Sequence, residues 1–139
     1  MSVINSMKLN IEAKSQNESF ARSVVAGFYI QINPTLEQVE DLKTAVSEAV
    51  TNCIVHAYEG SQQGAIDIAC ELYQDKITVV ITDYGKGIEN VAKAMEPFYT
   101  TGAEGERSGM GFTVMQAFCD KVEVVSKKGL TQVTLTKKV

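Results

Sequence analysis

The feature that most constrains the fold is a long amphipathic helix, which the sequence predicts from Thr35 to about Tyr58. Thr35 and Gln38 have the spacing of a capping box, in which two side chains satisfy free amide groups at a helix start. The segment Glu59-Gly60-Ser61 should end the helix, because glycine is favoured just past a helix C-terminus. Apolar residues between these limits recur every three or four positions and so share one face: Val39, Leu42, Val46, Ala49, Val50, Cys53 and Ala57.

Alternation of apolar and polar residues predicts strands before and after this helix. In chain order, the sequence predicts a strand over 7–13, a helix over 17–31, strands over 65–73 and 76–82, a short helix over 88–95, a helix over 109–119 and a hairpin turning at 128–129. Two further helices should each bury an apolar face. These faces are Phe20, Val24, Val25 and Phe28 in the first helix, and Phe112, Met115 and Phe118 in the last.

Grouped strands with helices between them predict an α+β fold, a two-layer sandwich with a largely antiparallel sheet and helices on one face. The 139 residues have the usual size of one domain, so we expect residues 1–139 to form a single domain. This arrangement leaves room for a ligand between the sheet and the loops around the last helix.

Charge and composition exclude several classes of function. The net charge is −4 and no run of Lys and Arg exceeds two residues, whereas direct nucleic-acid binding needs a clustered basic surface. No apolar run approaches the ~20 residues that span a bilayer. Cys53, Cys70 and Cys119 are far apart among apolar neighbours, as expected for core residues of a reduced compartment. We therefore expect a cytoplasmic protein that binds neither nucleic acid nor membranes.

Glu48 and Asn52 are four residues apart on the long helix, so they project from the same side. A carboxylate there can accept a proton from an attacking hydroxyl group. An amide oxygen can complete the ligand shell of a Mg²⁺ ion that otherwise binds phosphate and water. Taken alone, the same spacing also fits an ordinary solvated helix surface.

Two glycine-containing segments complete the candidate site. Asp83, followed by Gly85 and Gly87, places an acid at a strand end, where it can accept a hydrogen bond from an exocyclic amine such as that of adenine. Gly109-Met110-Gly111 opens a helix, whose free amide groups favour phosphate. Either segment alone also fits an ordinary turn. A P-loop is excluded, and a single histidine, His56, excludes a Ser-His-Asp triad or a histidine-based zinc site.

The order of these segments resembles the Bergerat-fold ATPases, which include gyrase, histidine kinases and mismatch-repair ATPases. Over nearly the whole chain the sequence is similar to one branch, the sporulation anti-sigma-F factors, which are serine kinases of spore-forming bacteria. The segments that carry this similarity are 17–22, 47–52, 100–101 and 106–112.

The resemblance implies a homodimeric protein that inhibits a sporulation sigma factor and uses Mg-ATP to phosphorylate a serine of an anti-anti-sigma protein. It implies that Glu48 is the catalytic base, that Asn52 binds Mg²⁺, that Asp83 meets adenine and that Gly85 and Gly87 shape the turn. It places Arg22 on the partner-binding face. It implies a lid and phosphate cradle built from Thr100, Thr101, Arg107, Ser108, Gly109, Met110, Gly111 and Phe112.

One departure from the family concerns Thr131, because Leu130 stands between Gly129 and Thr131 where the family usually has Gly-Thr. The position of Thr131 in the adenine pocket is therefore in question. Four other functions compete with the kinase: a nucleotide-gated module that only binds the sigma factor, a stress-response anti-sigma kinase, a histidine kinase and a domain that binds no nucleotide. Glu48 argues against the first, the segments 83–87 and 108–110 against the second and the lack of a phosphoacceptor helix against the third. The fourth would need three motifs to coincide by chance.

Overall fold

The computed structural model describes residues 2–58, 64–88, 90–95 and 111–139. The predicted helix end at Gly60 lies outside these residues. The strands are β1 (Asn5–Glu12), β2 (Ala65–Leu72), β3 (Lys76–Asp83), β4 (Lys121–Lys127) and β5 (Leu130–Lys138). The α-helices are α1 (Gln16–Tyr29), α2 (Leu36–Asn52), α3 (Val91–Ala94) and α4 (Gly111–Phe118). A 3₁₀ helix (Ile30–Ile32) follows α1, and a π-helix (Cys53–Ala57) follows α2.

The strands form one sheet in the order β1-β2-β3-β5-β4, and every neighbouring pair is antiparallel. Alternate residues of the three central strands are buried against the helices, including Ile68, Ile81 and Leu135. The predicted α+β fold with an antiparallel sheet is therefore confirmed. The register also places Asp83, the last residue of β3, directly opposite Thr131 on β5.

Helix α2 lies at the centre of the helical layer, in contact with both α1 and α4. Leu42, Val46 and Val50 on its apolar face are fully buried. The predicted capping box is present, since the Gln38 amide donates to Thr35 Oγ1 at 3.1 Å and the Thr35 amide donates to Gln38 Oε1 at 2.7 Å. The best-defined prediction of the sequence thus forms the element that carries Glu48 and Asn52.

The predicted buried faces of α1 and α4 are partly wrong. Phe20 is 51% exposed and Phe118 is 37% exposed. In α1 the buried face is instead formed by Ala21, Val25, Ala26 and Tyr29, a stripe rotated by about one residue from the predicted one. The small alanine side chains allow the backbone of α1 to lie close to its neighbours in the fold.

The first helical segment ends close to the predicted position. Helix α1 is followed by the 3₁₀ turn, which stops at Asn33, whose φ of 60° is left-handed and which precedes Pro34. The long helix keeps α-helical geometry only to Asn52 and is a π-helix beyond it. In the described parts of the chain, no helix is both long and apolar enough to cross a bilayer.

Candidate functional site

Asn52, the last residue of α2, lies against the start of α4. A side chain at Gly111 would place its Cβ 2.9 Å from Asn52 Nδ2 and 3.1 Å from Asn52 Oδ1. The absence of a side chain at Gly111 therefore allows the Asn52 amide to lie beside the backbone of α4. Glu48 lies one turn earlier on the same side of α2, and both side chains are half-buried. The structure thus brings together two segments that are far apart in the sequence.

This junction suits phosphate and a divalent cation. Amide groups in the first turn of a helix point outward and favour anions. The Asn52 side chain provides a hard oxygen atom, which is the ligand type that Mg²⁺ prefers, while phosphate and water supply the rest. Among the described residues no cluster of three His, Cys, Asp or Glu side chains could hold a metal ion.

Asp83 forms the other end of the site, where β3 ends. Its side chain is buried, with 4% of the residue exposed. The amide of Gly85 donates to Asp83 Oδ1 at 3.1 Å. Burial raises the pKa of Asp83, while the hydrogen bond from the Gly85 amide lowers it.

The turn after Asp83 is held from two sides, which explains both glycines. A Cβ at Gly85 would collide with the backbone carbonyl group of Ala57, which also accepts a hydrogen bond from the Lys86 amide at 3.2 Å. Gly87 has a φ of 83°, which other residues rarely adopt, and its Cβ would meet the carbonyl group of Lys127. The turn is therefore packed between the π-helix and β4.

The π-helix is the connection between the two ends of the site. Its defining bond runs from the Tyr58 amide to the Cys53 carbonyl oxygen at 3.1 Å. Such single π turns occur often at functional sites. Its two ends face different elements: Asn52, just before it, lies against Gly111 of α4, and the Ala57 carbonyl oxygen accepts from the Lys86 amide in the turn after β3 at 3.2 Å.

Thr131 keeps its place opposite Asp83 despite the additional Leu130. The hairpin turns through Lys128 and Gly129, with a φ of 89° at Gly129, and Leu130 is the first residue of β5. Thr131 is 5% exposed, and its Oγ1 lies 2.6 Å from Ser126 Oγ. Leu130 is paired with Lys127 within the hairpin, and Thr131 lies opposite Asp83.

The remaining predicted site residues have different positions. Phe112 is 8% exposed and belongs to the hydrophobic core, so it anchors the start of α4. Arg22 lies between α1 and α2, with NH1 3.3 Å from Glu18 Oε2 and 3.3 Å from Ser47 Oγ. The other lid and cradle residues lie outside the described residues: Thr100, Thr101, Arg107, Ser108, Gly109 and Met110.

Two residues beside the site were not predicted from the sequence. Ser126 accepts a hydrogen bond from the Ile88 amide at 2.7 Å and so ties the glycine turn to β4. The hydroxyl group of Tyr58 accepts from the Tyr84 amide at 2.7 Å and donates to the Ala65 carbonyl oxygen at 2.6 Å. Both contacts join segments that are distant in the sequence, so no local pattern indicated them. Cys53 lies in the hydrophobic core, as predicted.

Comparison with known proteins agrees with this geometry. Residues 11–137 match the family model of the histidine kinase-like ATPase domain. The chain is 56% identical over 138 residues to the anti-sigma F factor of Thermoanaerobacter pseudethanolicus, covering 99% of this chain and 96% of the relative. It is 58% identical over 134 residues to that of Caldanaerobacter subterraneus subsp. tengcongensis, covering 96% of this chain and 93% of the relative.

Solved structures show the same fold at low sequence identity. The RsbU and RsbW domains of a Mycobacterium tuberculosis protein align with a TM-score of 0.70 at 18% identity, covering 96% of this chain and 32% of that one. The catalytic domain of the histidine kinase ThkA aligns with a TM-score of 0.61 at 15% identity, covering 95% of both chains.

Proposed function

This chain belongs to the anti-sigma F factor family, within the histidine kinase-like ATPase domains, and we propose that it inhibits a sporulation sigma factor. We further propose that it phosphorylates a serine of the anti-anti-sigma antagonist with Mg-ATP, and that it does so as a cytoplasmic homodimer of single-domain chains.

The observation that carries the kinase proposal is the pair of contacts made at the two ends of the π-helix. Asn52, just before it, lies against the start of α4, and the carbonyl oxygen of Ala57, its last residue, accepts from the Lys86 amide in the turn that follows the buried Asp83. A nucleotide held between these points would have its phosphates at the helix start and its base at the buried carboxylate. Glu48 lies one turn from Asn52 and therefore on the phosphate side.

In the proposed reaction the Glu48 carboxylate accepts the proton of the substrate serine as its oxygen attacks the terminal phosphorus of ATP. The bond from that phosphorus to the bridging oxygen breaks, and ADP leaves. A serine hydroxyl group barely ionises at neutral pH, so a positioned acceptor accelerates its attack. Bound magnesium neutralises charge on the phosphates. The remaining catalytic effect is the positioning of the nucleotide, to which Asn52, Asp83, Gly85 and Gly87 contribute.

Replacing Asn52 with alanine should weaken Mg-dependent nucleotide binding by about tenfold, because one oxygen ligand is lost. Isothermal titration with ATP, with and without Mg²⁺, measures this. The expected result is a loss confined to the titration with Mg²⁺, while the Mg-free affinity stays close to that of the wild type. Normal Mg-ATP affinity in the variant would refute the ligand role of Asn52.

The anti-sigma function is tested by transcription in vitro with RNA polymerase carrying a sporulation sigma factor. We expect the protein to inhibit transcription in the presence of ATP and the anti-anti-sigma protein to relieve the inhibition. Arg22→Ala should weaken inhibition by about tenfold or more, because arginine is often a binding hot spot in protein–protein interfaces. Lys43→Ala removes a similar ion pair, 3.4 Å from Glu40, and should change nothing. Equal effects of both substitutions would contradict the placement of Arg22 on the partner face.

A further inference from the structure

Three residues on adjacent strands form a polar row at the base end of the site. The register pairs Asp83 of β3 with Thr131 of β5, and Thr131 with Ser126 of β4. Residues paired in this way project from the same face of a sheet. That face packs against the helices, because alternate residues of the same strands, such as Ile81 and Val133, belong to the core. The row therefore borders the space in which the base of the proposed nucleotide would lie.

Ser126 stands at the end of this row and joins three segments. Its Oγ atom accepts from the Ile88 amide at 2.7 Å, and it lies 2.6 Å from Thr131 Oγ1 and 3.3 Å from the Leu130 carbonyl oxygen. A hydroxyl group has one proton to donate. Hydrogen bonds between oxygen atoms are usually about 2.5–3.0 Å long, so Thr131 is the better placed of the two acceptors.

The direction of this hydrogen bond decides what Thr131 can offer a ligand. The Thr131 hydroxyl group also has a single proton, and when Ser126 donates to its oxygen atom, that proton is left for the ligand. The row then presents two different groups side by side, the accepting carboxylate of Asp83 and the donating hydroxyl group of Thr131. The 6-amino group and the N1 atom of adenine are a neighbouring donor and acceptor, so they match this pair.

We propose that Ser126 is a positioning residue for adenine recognition, because its hydroxyl group turns the Thr131 hydroxyl group so that it donates to N1 of the base. This inference rests on the proposed function, in which Asp83 accepts from the 6-amino group. The hydrogen bond from the Ile88 amide fixes Ser126 to the glycine turn. Because Ser126 acts through Thr131, its contribution is confined to nucleotides that carry a nitrogen atom at position 1 of the base.

The test compares ATP with 1-deaza-ATP, in which carbon replaces N1 and the 6-amino group is kept, by calorimetric titration with Mg²⁺ present. Wild-type protein should bind 1-deaza-ATP about three- to tenfold more weakly than ATP, the usual effect of one lost hydrogen bond. Ser126→Val should weaken ATP binding by a similar factor and leave the affinity for 1-deaza-ATP within about twofold of the wild type. Ser126→Thr has a side chain of the same shape as valine but keeps the hydroxyl group, so it should restore ATP binding. At saturating ATP the phosphorylation rate should be unchanged in both variants.

Thr134→Ala is the matched control, because Thr134 belongs to the same strand as Thr131 but faces the other side of the sheet. Any change that it makes in the melting temperature should leave the ratio of the two affinities as in the wild type. Ser126→Ala also lacks the hydroxyl group, so it serves if Ser126→Val does not fold.

A purely structural role of Ser126 would weaken the binding of both nucleotides equally in the variant without the hydroxyl group. That result, or no loss for ATP, would overturn the role of Ser126 alone. Wild-type protein that binds ATP and 1-deaza-ATP equally would overturn the donation from Thr131 to N1. Wild-type protein that binds neither nucleotide would overturn the nucleotide site as well.

Discussion

Replacing Glu48 with alanine is expected to slow phosphoryl transfer to the partner serine by ~10²–10⁴-fold, the usual contribution of a positioned general base. ATP binding should stay within about twofold of the wild type, because the proposed nucleotide contacts are made by Asn52 at its junction with α4 and by Asp83. A fall in the rate at saturating ATP without a change in affinity identifies an interaction made during transfer. Single-turnover phosphorylation with excess enzyme measures that rate directly.

Glu40 provides the matched control for this substitution. It lies on the same helix, where it is ion-paired with Lys43 at 3.4 Å and its side chain is 60% exposed. Glu40→Ala removes a carboxylate from α2 far from the junction with α4 and should leave the transfer rate unchanged. A Glu48→Ala variant that phosphorylates at the wild-type rate would show that Glu48 is not the base.

Replacing Asp83 with asparagine is expected to weaken ATP binding by roughly 10- to 100-fold, the effect of losing a hydrogen bond to a charged group. The new amide oxygen can accept from the Gly85 amide, as the carboxylate does. The amide nitrogen then faces the base, where it meets the amino group of adenine as a second donor. Calorimetric titration with Mg-ATP measures the loss, and wild-type affinity would contradict the assignment of Asp83 to adenine.

The same substitution should stabilise the protein without nucleotide at neutral pH. Burial raises the pKa of Asp83 in the folded state, so the folded protein holds this proton more tightly than the unfolded chain does. The free energy of unfolding therefore falls as pH rises through the folded pKa, and ionised Asp83 costs stability at pH 7. Below the unfolded value of about 3.9 both states are protonated and the cost vanishes.

Thermal unfolding of wild-type protein and Asp83→Asn between pH 3.5 and 8 tests this. The variant should have the higher melting temperature at pH 7, and the difference should shrink as the pH falls. Cys70→Ala is a suitable control, because it truncates a buried side chain and should change the melting temperature by an amount that does not depend on pH over this range. A variant that is less stable than the wild type at every pH would contradict the destabilising role of the buried carboxylate.

Much of the fold could be predicted because its patterns are local. The capping box at Thr35 and the apolar repeat of α2 are set by near neighbours, as is the alternation along β2 and β3. The buried faces of α1 and α4 were harder to predict, since both helices contain more apolar residues than one face can hold. Which of them is buried depends on what packs against the helix, and Phe20 and Phe118 were left exposed.

The site shows the same division between local and tertiary causes. Motif chemistry could propose Asn52 and Asp83 as site residues, and the strand register puts Thr131 opposite Asp83. The π-helix has no comparable local signal, and the Ala57 carbonyl at its end accepts the Lys86 amide of the glycine turn at 3.2 Å.

The most direct test of the central claim is intact-mass spectrometry of the anti-anti-sigma protein after incubation with this protein and Mg-ATP, beside a Glu48→Ala reaction. We expect the partner to gain one phosphate on a serine in the wild-type reaction and no phosphate at the same time point with the variant. A partner that gains no phosphate from wild-type protein shown to bind ATP would contradict the kinase. The function would then be a sigma-binding module that uses the nucleotide only to set its shape.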